Sequence, residues 1–462
     1  MLADVLTAAP WIISGGGALY IGSRFGVGPR LVWAGIRRDR ELARSCIQAA
    51  RIRRRWPHVA QHLGLVLIDR TAVTAATGSA PAPKPRYVVP KMRVRADSYG
   101  VVCTARTVAG VGLPEWQRAA RHLADDWRAT RVAVTQVKPG KVRVRAVRVD
   151  PLSFPTTYAP DPAALVAPKT LDRLPVGLDE YGEPVDLRLS NVAGICICGL
   201  PGYGKTSFIN NLIVRLSASP AVQFVGLDGK SDDPAQGDYG DLADRFTLLV
   251  GDDLEQANKV LGELVQFRRA RAASIRTLLG RKNAWQGQFT PDWPLVIVIV
   301  DEAHTYFAQV KDGGDKVLKQ RNALAAQNAQ HVEDLIKKGR SVGILTVLAT
   351  QKGTGDAIPT QIRDVCSVSL AFACRTIEAA VAGLGEDIRQ YPEANPVQLR
   401  DPVYVGVATM AVEGRPGFTR VRMPYVPDET AAAVAHHHRD LVATRGQLPA
   451  ASLLSIGAPD AD

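Results

Sequence analysis

The hydrophobic pattern changes character near residue 191. Beyond it, apolar runs at 192–198, 221–228, 246–250, 295–300, 343–349 and 366–373 are separated by stretches of helical period. These runs do not alternate strictly with polar residues, which suits strands covered on both faces of a largely parallel sheet. The pattern predicts an α/β domain, continued by two more runs at 403–409 and 420–426. Before residue 191 the period is two. Short alternating strands are expected at 87–96, 98–106 and 131–149, around an amphipathic helix at 113–129. Trp116, Ala119, Ala120, Leu123 and Trp127 give that helix its apolar stripe. Residues 174–191 read as a hairpin that turns between Asp179 and Gly182.

The N-terminal stretch follows neither period. Residues 5–23 hold no charged side chain, and about 20 such residues span a bilayer as a helix. Arg24, Arg30, Arg37, Arg38 and Arg40 follow, then "RIRRR" at 51–55. By the positive-inside rule this places everything after residue 24 in the cytoplasm. The expectation is a single-pass anchor in the cytoplasmic membrane. Four glycines and a proline in the stretch keep open a buried or peripheral element of a cytoplasmic protein. The flank carries Asp4 and no Lys or Arg, unlike a signal peptide. The layout that follows is a candidate membrane anchor (1–30), basic juxtamembrane helices (31–75), a small-residue and proline linker (76–86), a small α+β module (87–173), the α/β domain (174–426) and a flexible tail (427–462).

Composition adds a partner class. The 462 residues carry a formal net charge of +12, which argues for an anionic partner, nucleic acid or phospholipid. Lys141, Arg143 and Arg145 fall on one face of one strand. That face is a phosphate-facing groove or a solvated sheet surface. The six cysteines (Cys46, Cys103, Cys196, Cys198, Cys366 and Cys374) are scattered without metal or redox spacing and read as packed side chains in a reducing compartment.

The chemistry concentrates at "GLPGYGKT", Gly199 to Thr206, which satisfies G-x-x-x-x-G-K-[ST] between an apolar strand and the helix "SFINNLIVRLS". Glycine lets the loop amides approach phosphates, and the helix N-terminus adds partial positive charge. The candidate ATP-binding residues are Gly199, Leu200, Pro201, Gly202, Tyr203, Gly204, Lys205, Thr206 and Ser207. Lys205 is expected on the β and γ phosphates and Thr206 on Mg2+. A second apolar strand ends in Asp301 and Glu302. Asp301 is the second expected Mg2+ residue, and Glu302 is either the base that polarises the attacking water or a helix-capping carboxylate. A third strand ends at Thr350 and Gln351. In a parallel sheet its end shares the rim with Lys205 and Asp301, so Gln351 is a γ-phosphate sensor or a simple strand cap. The glycine-bearing "KGTGD" behind it is expected to move. Lys337, Lys338 and Arg340 precede that strand, and one of them is expected to reach a neighbouring subunit's nucleotide or the DNA backbone.

In this order, "GLPGYGKTSFINNLI", "FVGLDGK", "WPLVIVIVDEAHTYF", "KKGRSVGILTVLATQKGTGDAIPTQIRD" and "SVSLAF" resemble the motor domain of the FtsK/SpoIIIE family of DNA translocases. The version here is similar to actinobacterial FtsK-domain proteins, including those of integrative conjugative elements. The resemblance covers roughly 190–375 and, more weakly, 87–190. It implies a RecA-like P-loop NTPase core, with Lys205, Thr206, Asp301, Glu302 and Gln351 in the roles above. It also implies that Asp228 and Lys230 are the family's Asp-x-Lys and that Arg340 is its GRxxGI arginine. Family members form hexameric rings around duplex DNA. The expected function is therefore ATP-driven translocation of double-stranded DNA by a homo-oligomeric ring, in chromosome segregation or conjugative transfer. The alternatives are a conjugative coupling or secretion ATPase that moves single-stranded DNA or protein, and a non-motor ATP-binding scaffold. The family's Gly-Asp-Met-Leu turn is not evident, and residues after 426 are too few for a winged-helix reader, so loading directed by sequence is not expected.

Overall fold

A computed structural model describes residues 39–69, 86–311, 313–351 and 358–443. The candidate anchor at 5–23, nearly all of the linker, the segment 352–357 behind Gln351 and residues 444–462 lie outside the described residues. Among the described residues, no helix is long and apolar enough to cross a membrane. Contacts divide the chain into two units, residues 1–151 and 152–462.

The first unit is built on a four-stranded antiparallel sheet in the order β3-β4-β6-β5. Its elements are α1 (Arg40–His62), β1 (Leu67–Asp69), β2 (Arg86–Val88), β3 (Met92–Asp97), β4 (Gly100–Arg106), α2 (Leu113–Trp127), β5 (Arg131–Lys138) and β6 (Lys141–Val147). Asp39 starts α1 by accepting from the Leu42 amide at 2.9 Å. Leu42, Cys46, Ala49, Ile52, Trp56 and Val59 follow at helical spacing. They join the same core as Val94, Val101 and Val144 from the sheet. The basic residues that suggest a juxtamembrane helix are thus the outer face of a helix that walls this module. Trp56 stacks on Trp116 of α2 with ring centroids 5.4 Å apart. Strand alternation then directs Arg93, Arg95, Arg106, Lys141, Arg143 and Arg145 to the opposite side of the sheet. Arg145 does not remain available there. It is buried and donates to both carboxylate oxygens of Asp97, at 2.5 and 3.0 Å.

The second unit is organised by a ten-stranded sheet in the order β11-β10-β12-β13-β9-β14-β15-β16-β7-β8. Its strands are β7 (Arg173–Asp179), β8 (Pro184–Arg188), β9 (Gly194–Cys198), β10 (Val222–Asp228), β11 (Phe246–Val250), β12 (Leu295–Asp301), β13 (Ile344–Thr350), β14 (Val368–Ala371), β15 (Val407–Ala411) and β16 (Phe418–Arg422). Six of them, from β11 to β14, run parallel, and the remaining four extend the sheet in antiparallel fashion. Its helices are α3 (Lys205–Leu216), α4 (Leu254–Leu279), α5 (His304–Phe307), α6 (Lys316–Gly339), α7 (Thr360–Arg363), α8 (Ile377–Leu384) and α9 (Asp428–His437).

The burial of β12 explains its unbroken apolar sequence. Leu295, Ile297 and Ile299 enter the core that holds Phe208 and Leu212 of α3 and Val434 of α9. Val296, Val298 and Val300 enter the other core, with Val260 of α4 and Leu335 of α6. Burying each such side chain contributes about 1.5–3 kcal/mol, so a polar residue on either face is excluded. Residues 428–437, where composition suggests a flexible tail, form α9 with Ala431, Val434 and Ala435 buried. The run 403–409 divides. Asp401 accepts from the Val403 amide and sets a 3-10 turn at Pro402–Tyr404, and the strand begins only at Val407, after Gly406. The 174–191 hairpin turns at Asp179, whose Oδ1 accepts from the amides of Tyr181 and Glu183.

Candidate nucleotide-binding and hydrolysis site

The parallel register aligns the strand ends. Asp228 pairs with Asp301, and Thr350 pairs with Cys198. The C-terminal ends of β9, β10, β12 and β13 therefore form one rim, where open α/β sheets bind ligands. A cleft of about 740 Å3 opens on this rim, with Lys205, Thr206, Lys230, Asp238 and Gln351 on one wall. The other wall comes from Thr156, Val403, Val405, Met423 and Tyr425.

The loop between β9 and α3 requires glycine at two places. At Gly199 (φ +145°) a Cβ would lie 2.7 Å from Phe372 Cβ, and at Gly204 (φ +107°) 2.9 Å from Gly406 Cα. Pro201, Gly202, Gly204, Thr206 and Ser207 face the cleft. Leu200 and Tyr203 anchor the loop from behind: Leu200 N donates to Ala373 O at 2.8 Å, and the Tyr203 hydroxyl donates to Arg400 O at 2.7 Å.

Lys205 is 4% exposed, and among the described residues its ammonium donates to carbonyls, Gly199 O at 2.8 Å and Leu200 O at 3.0 Å. Burial holds its pKa below the ordinary lysine value despite Asp301 nearby. A buried cation held by carbonyls suits the phosphates of a nucleotide. Thr206 Oγ1 lies 3.4 Å from Asp238 Oδ2.

Asp301 is fully buried, and each of its oxygens is held. Oδ1 accepts from the Glu302 amide at 2.8 Å, and Oδ2 accepts from the buried Tyr239 hydroxyl at 2.9 Å. The Lys230 ammonium bridges Asp238 (2.6 Å) and Asp301 (3.4 Å). Burial opposes that charge, but Asp301 and Asp238 outweigh it and raise the Lys230 pKa. Asp228 does not enter the cleft. It is fully buried and accepts from the Lys230 and Asp238 amides at 3.2 Å each, fixing the loop that carries both. Thr206, Asp238 and Asp301 present hard oxygen donors around a point already occupied by a cationic side chain. Among the described residues, no cluster of three or more His, Cys, Asp or Glu could hold a metal. The set fits Mg2+, which is commonly held by one or two carboxylates together with substrate phosphates.

Glu302 has the strongest mark of function. It adopts φ +49°, a left-handed conformation that is uncommon for a side-chain-bearing residue. Its Oε2 is buried with no hydrogen-bond partner among the described residues. Burial raises its pKa, with Asp301 adding to the shift, while the nearby Lys230 and Lys205 charges oppose it. A carboxylate shifted towards neutrality at the end of β12 suits proton abstraction. Gln351 lines the cleft.

Arg340 does not join this site. It is exposed in the turn before β13. The seven residues of β13, at roughly 3.3 Å each, put it about 23 Å from the nucleotide rim. Lys337 and Lys338 pair with Glu333 and Asp334 on their own helix. Sequence reasoning missed Asp238, Tyr239 and the second wall. The signal for Asp238 and Tyr239 was the polar "GDYGD" close behind "LDGK".

Residues 168–354 match the model of the FtsK/SpoIIIE family. That match covers less than half of the chain and shows that this segment is similar to the FtsK/SpoIIIE family. Among curated relatives, the DNA translocase FtsK of Leptospira interrogans (strain Fiocruz L1-130) is 26% identical over 211 residues, 43% of this chain and 20% of its own length. The DNA translocase FtsK of Lactiplantibacillus plantarum is 26% identical over 256 residues, 51% of this chain and 29% of its own. The FtsK/SpoIIIE-type match thus spans under a third of those relatives. Among solved structures, the pCW3 conjugation coupling protein TcpA, in its monomer form with ATPγS, superposes with a TM-score of 0.51 at 15% identity, over 76% of this chain and 93% of that one. This likeness shows a shared fold.

Proposed function

We propose that this chain is a conjugative coupling ATPase, a motor that hydrolyses ATP to move DNA during transfer between cells. The observation that carries the motor reading is the rim itself: Lys205 and Gln351 line the cleft, and Glu302, at the end of β12, holds a buried carboxylate oxygen with no partner among the described residues. A scaffold that only bound ATP would need the lysine and the loop but not Glu302. The coupling reading is supported by coverage. The fold of TcpA extends over 76% of this chain and nearly all of its own, whereas the FtsK relatives match over a small part of their length. The net charge of +12 favours a polyanionic cargo over a peptide.

In this reading Lys205 leaves the Gly199 and Leu200 carbonyls and takes the β and γ phosphate oxygens of ATP. Mg2+, held through Thr206 and Asp301, would neutralise phosphate charge. Glu302 accepts the proton of the attacking water at Oε2. The strand end at Gln351 reads the γ phosphate and passes its loss to the segment behind it. Copies act as a ring, a hexamer as the resemblance implies, with Arg340 reaching the nucleotide of the neighbouring copy. Residues 5–23 anchor the chain in the cytoplasmic membrane.

Displacement assays test the cargo. The motor should strip streptavidin from biotinylated single strands or a third strand from a duplex, only with ATP. Stripping of neither would refute the motor. Arg340→Ala and Lys205→Ala variants, each inactive alone, should regain hydrolysis when mixed if Arg340 acts across the ring.

A further inference from the structure

We propose that the outward face of the four-stranded sheet in the first unit binds the phosphate backbone of duplex DNA. Helices α1 and α2 cover only one side of this sheet, through Val94, Cys103, Val134 and Val144. The other side carries cations over most of its extent, with Val102, Ala133 and the buried Val147 towards one end. Arg93, Arg95, Arg106 and Lys138 are exposed and Lys141 is half-buried. The acid on these strands, Asp97, is already engaged by Arg145.

The register adds an independent observation. Lys141 stands directly opposite Arg106 on one neighbouring strand and opposite Lys138 on the other. Like charges directly across a sheet destabilise it. Three in a row are a feature the fold does not need, and an anionic ligand would relieve their repulsion. The row beside it runs Arg93, Thr104, Arg143, Thr135, which interleaves hydroxyls with guanidinium groups. Both groups bind phosphate oxygens in DNA complexes. Along a strand these cations repeat every two residues, about 6.8 Å, and across strands about every 4.8 Å.

The chemistry of the face selects the strand state. Sheets that bind single strands stack bases on aromatic side chains. None of residues 93–97, 102–106, 131–135 or 141–145 is aromatic. Away from its apolar end the surface offers charge and hydroxyls, which read backbone and favour the higher phosphate density of a duplex. The inference does not depend on the motor reading, because hydrolysis without DNA is measured separately.

The test uses the full chain and a labelled 30-base-pair duplex, titrated over a range of salt. Each phosphate neutralised by a basic side chain adds about 0.9 to the slope of log affinity against log salt. The triple variant Arg93→Ala, Arg95→Ala, Arg106→Ala should therefore lower that slope by about 2.7. DNA-free ATP hydrolysis should be unchanged. The matching Arg→Lys variant keeps the charges and should keep the slope, which separates removal of charge from damage to the fold. The unsubstituted chain should bind the duplex more tightly than a single strand of equal length. An unchanged slope in the alanine variant overturns the proposal. So does equal affinity for the single strand. Loss of binding to phosphatidylserine vesicles with duplex binding intact overturns it in favour of a membrane surface.

Discussion

Glu302→Gln should weaken catalysis without weakening the fold, and the structure sets the sign of both effects. The amide keeps the shape of the side chain and leaves φ +49° undisturbed, but it cannot take a proton. Loss of a general base lowers turnover by about 10²- to 10⁴-fold, or roughly 3–5 kcal/mol of barrier. Lys205 and its loop are untouched, so nucleotide affinity should stay within a few-fold. Stability should move the other way. Burial first, then Asp301, raises the Glu302 pKa in the folded protein. Between the unfolded and folded pKa the native state therefore holds more protons, and stability falls as pH rises through that window. Above it the half-buried carboxylate is a standing penalty, which the neutral amide removes. Single-turnover hydrolysis measures the first effect, and thermal unfolding from pH 4.5 to 8 the second. The variant should melt at or above the wild-type temperature at pH 8 and lose the wild type's decline across the window. Turnover within threefold of wild type would remove Glu302 from the chemistry. A lower melting temperature at pH 8 would refute the burial argument.

Three further outcomes follow from the same geometry. Lys205→Met should weaken ATP binding by about 10- to 150-fold, the loss of a charge-assisted interaction of about 1.5–3 kcal/mol, and calorimetry should show ATP no longer raising the melting temperature. Tyr239→Phe removes a buried hydroxyl donor from Asp301 and should lower unfolding free energy in urea by about 1.5–3 kcal/mol; no loss would mean that the hydrogen bond carries nothing. Gly199→Ala should cost at least about 2 kcal/mol because its Cβ meets Phe372, whereas Gly202→Ala, whose Cβ meets nothing within 4 Å, should cost about 1 kcal/mol for its positive φ alone.

The parallel sheet was legible because both its faces are buried. The run Leu295–Asp301 has no polar position to interrupt it, and the strands 246–250 and 222–228 coincide with their apolar runs almost to the residue. The candidate loop Gly199–Thr206 and the candidate pair Asp301–Glu302 could be proposed from sequence because each is contiguous. What escaped is what tertiary structure assembles. The second wall of the cleft joins Thr156 to Tyr425, paired through backbone hydrogen bonds across more than half the chain, and no local period reports that. Arg145 reads as a surface cation from its strand spacing, and only the position of Asp97 shows its partner. The juxtamembrane reading of 31–75 follows charge, whereas over Arg40–His62 packing follows the stripe from Leu42 to Val59.

The central claim, that this is an ATP-driven DNA motor, is tested most directly by steady-state ATP hydrolysis of the full chain against increasing concentrations of DNA and of unstructured peptide. The account predicts a rate that rises and saturates with DNA, is indifferent to peptide and is abolished in Glu302→Gln. A rate unmoved by DNA and raised by peptide would contradict it.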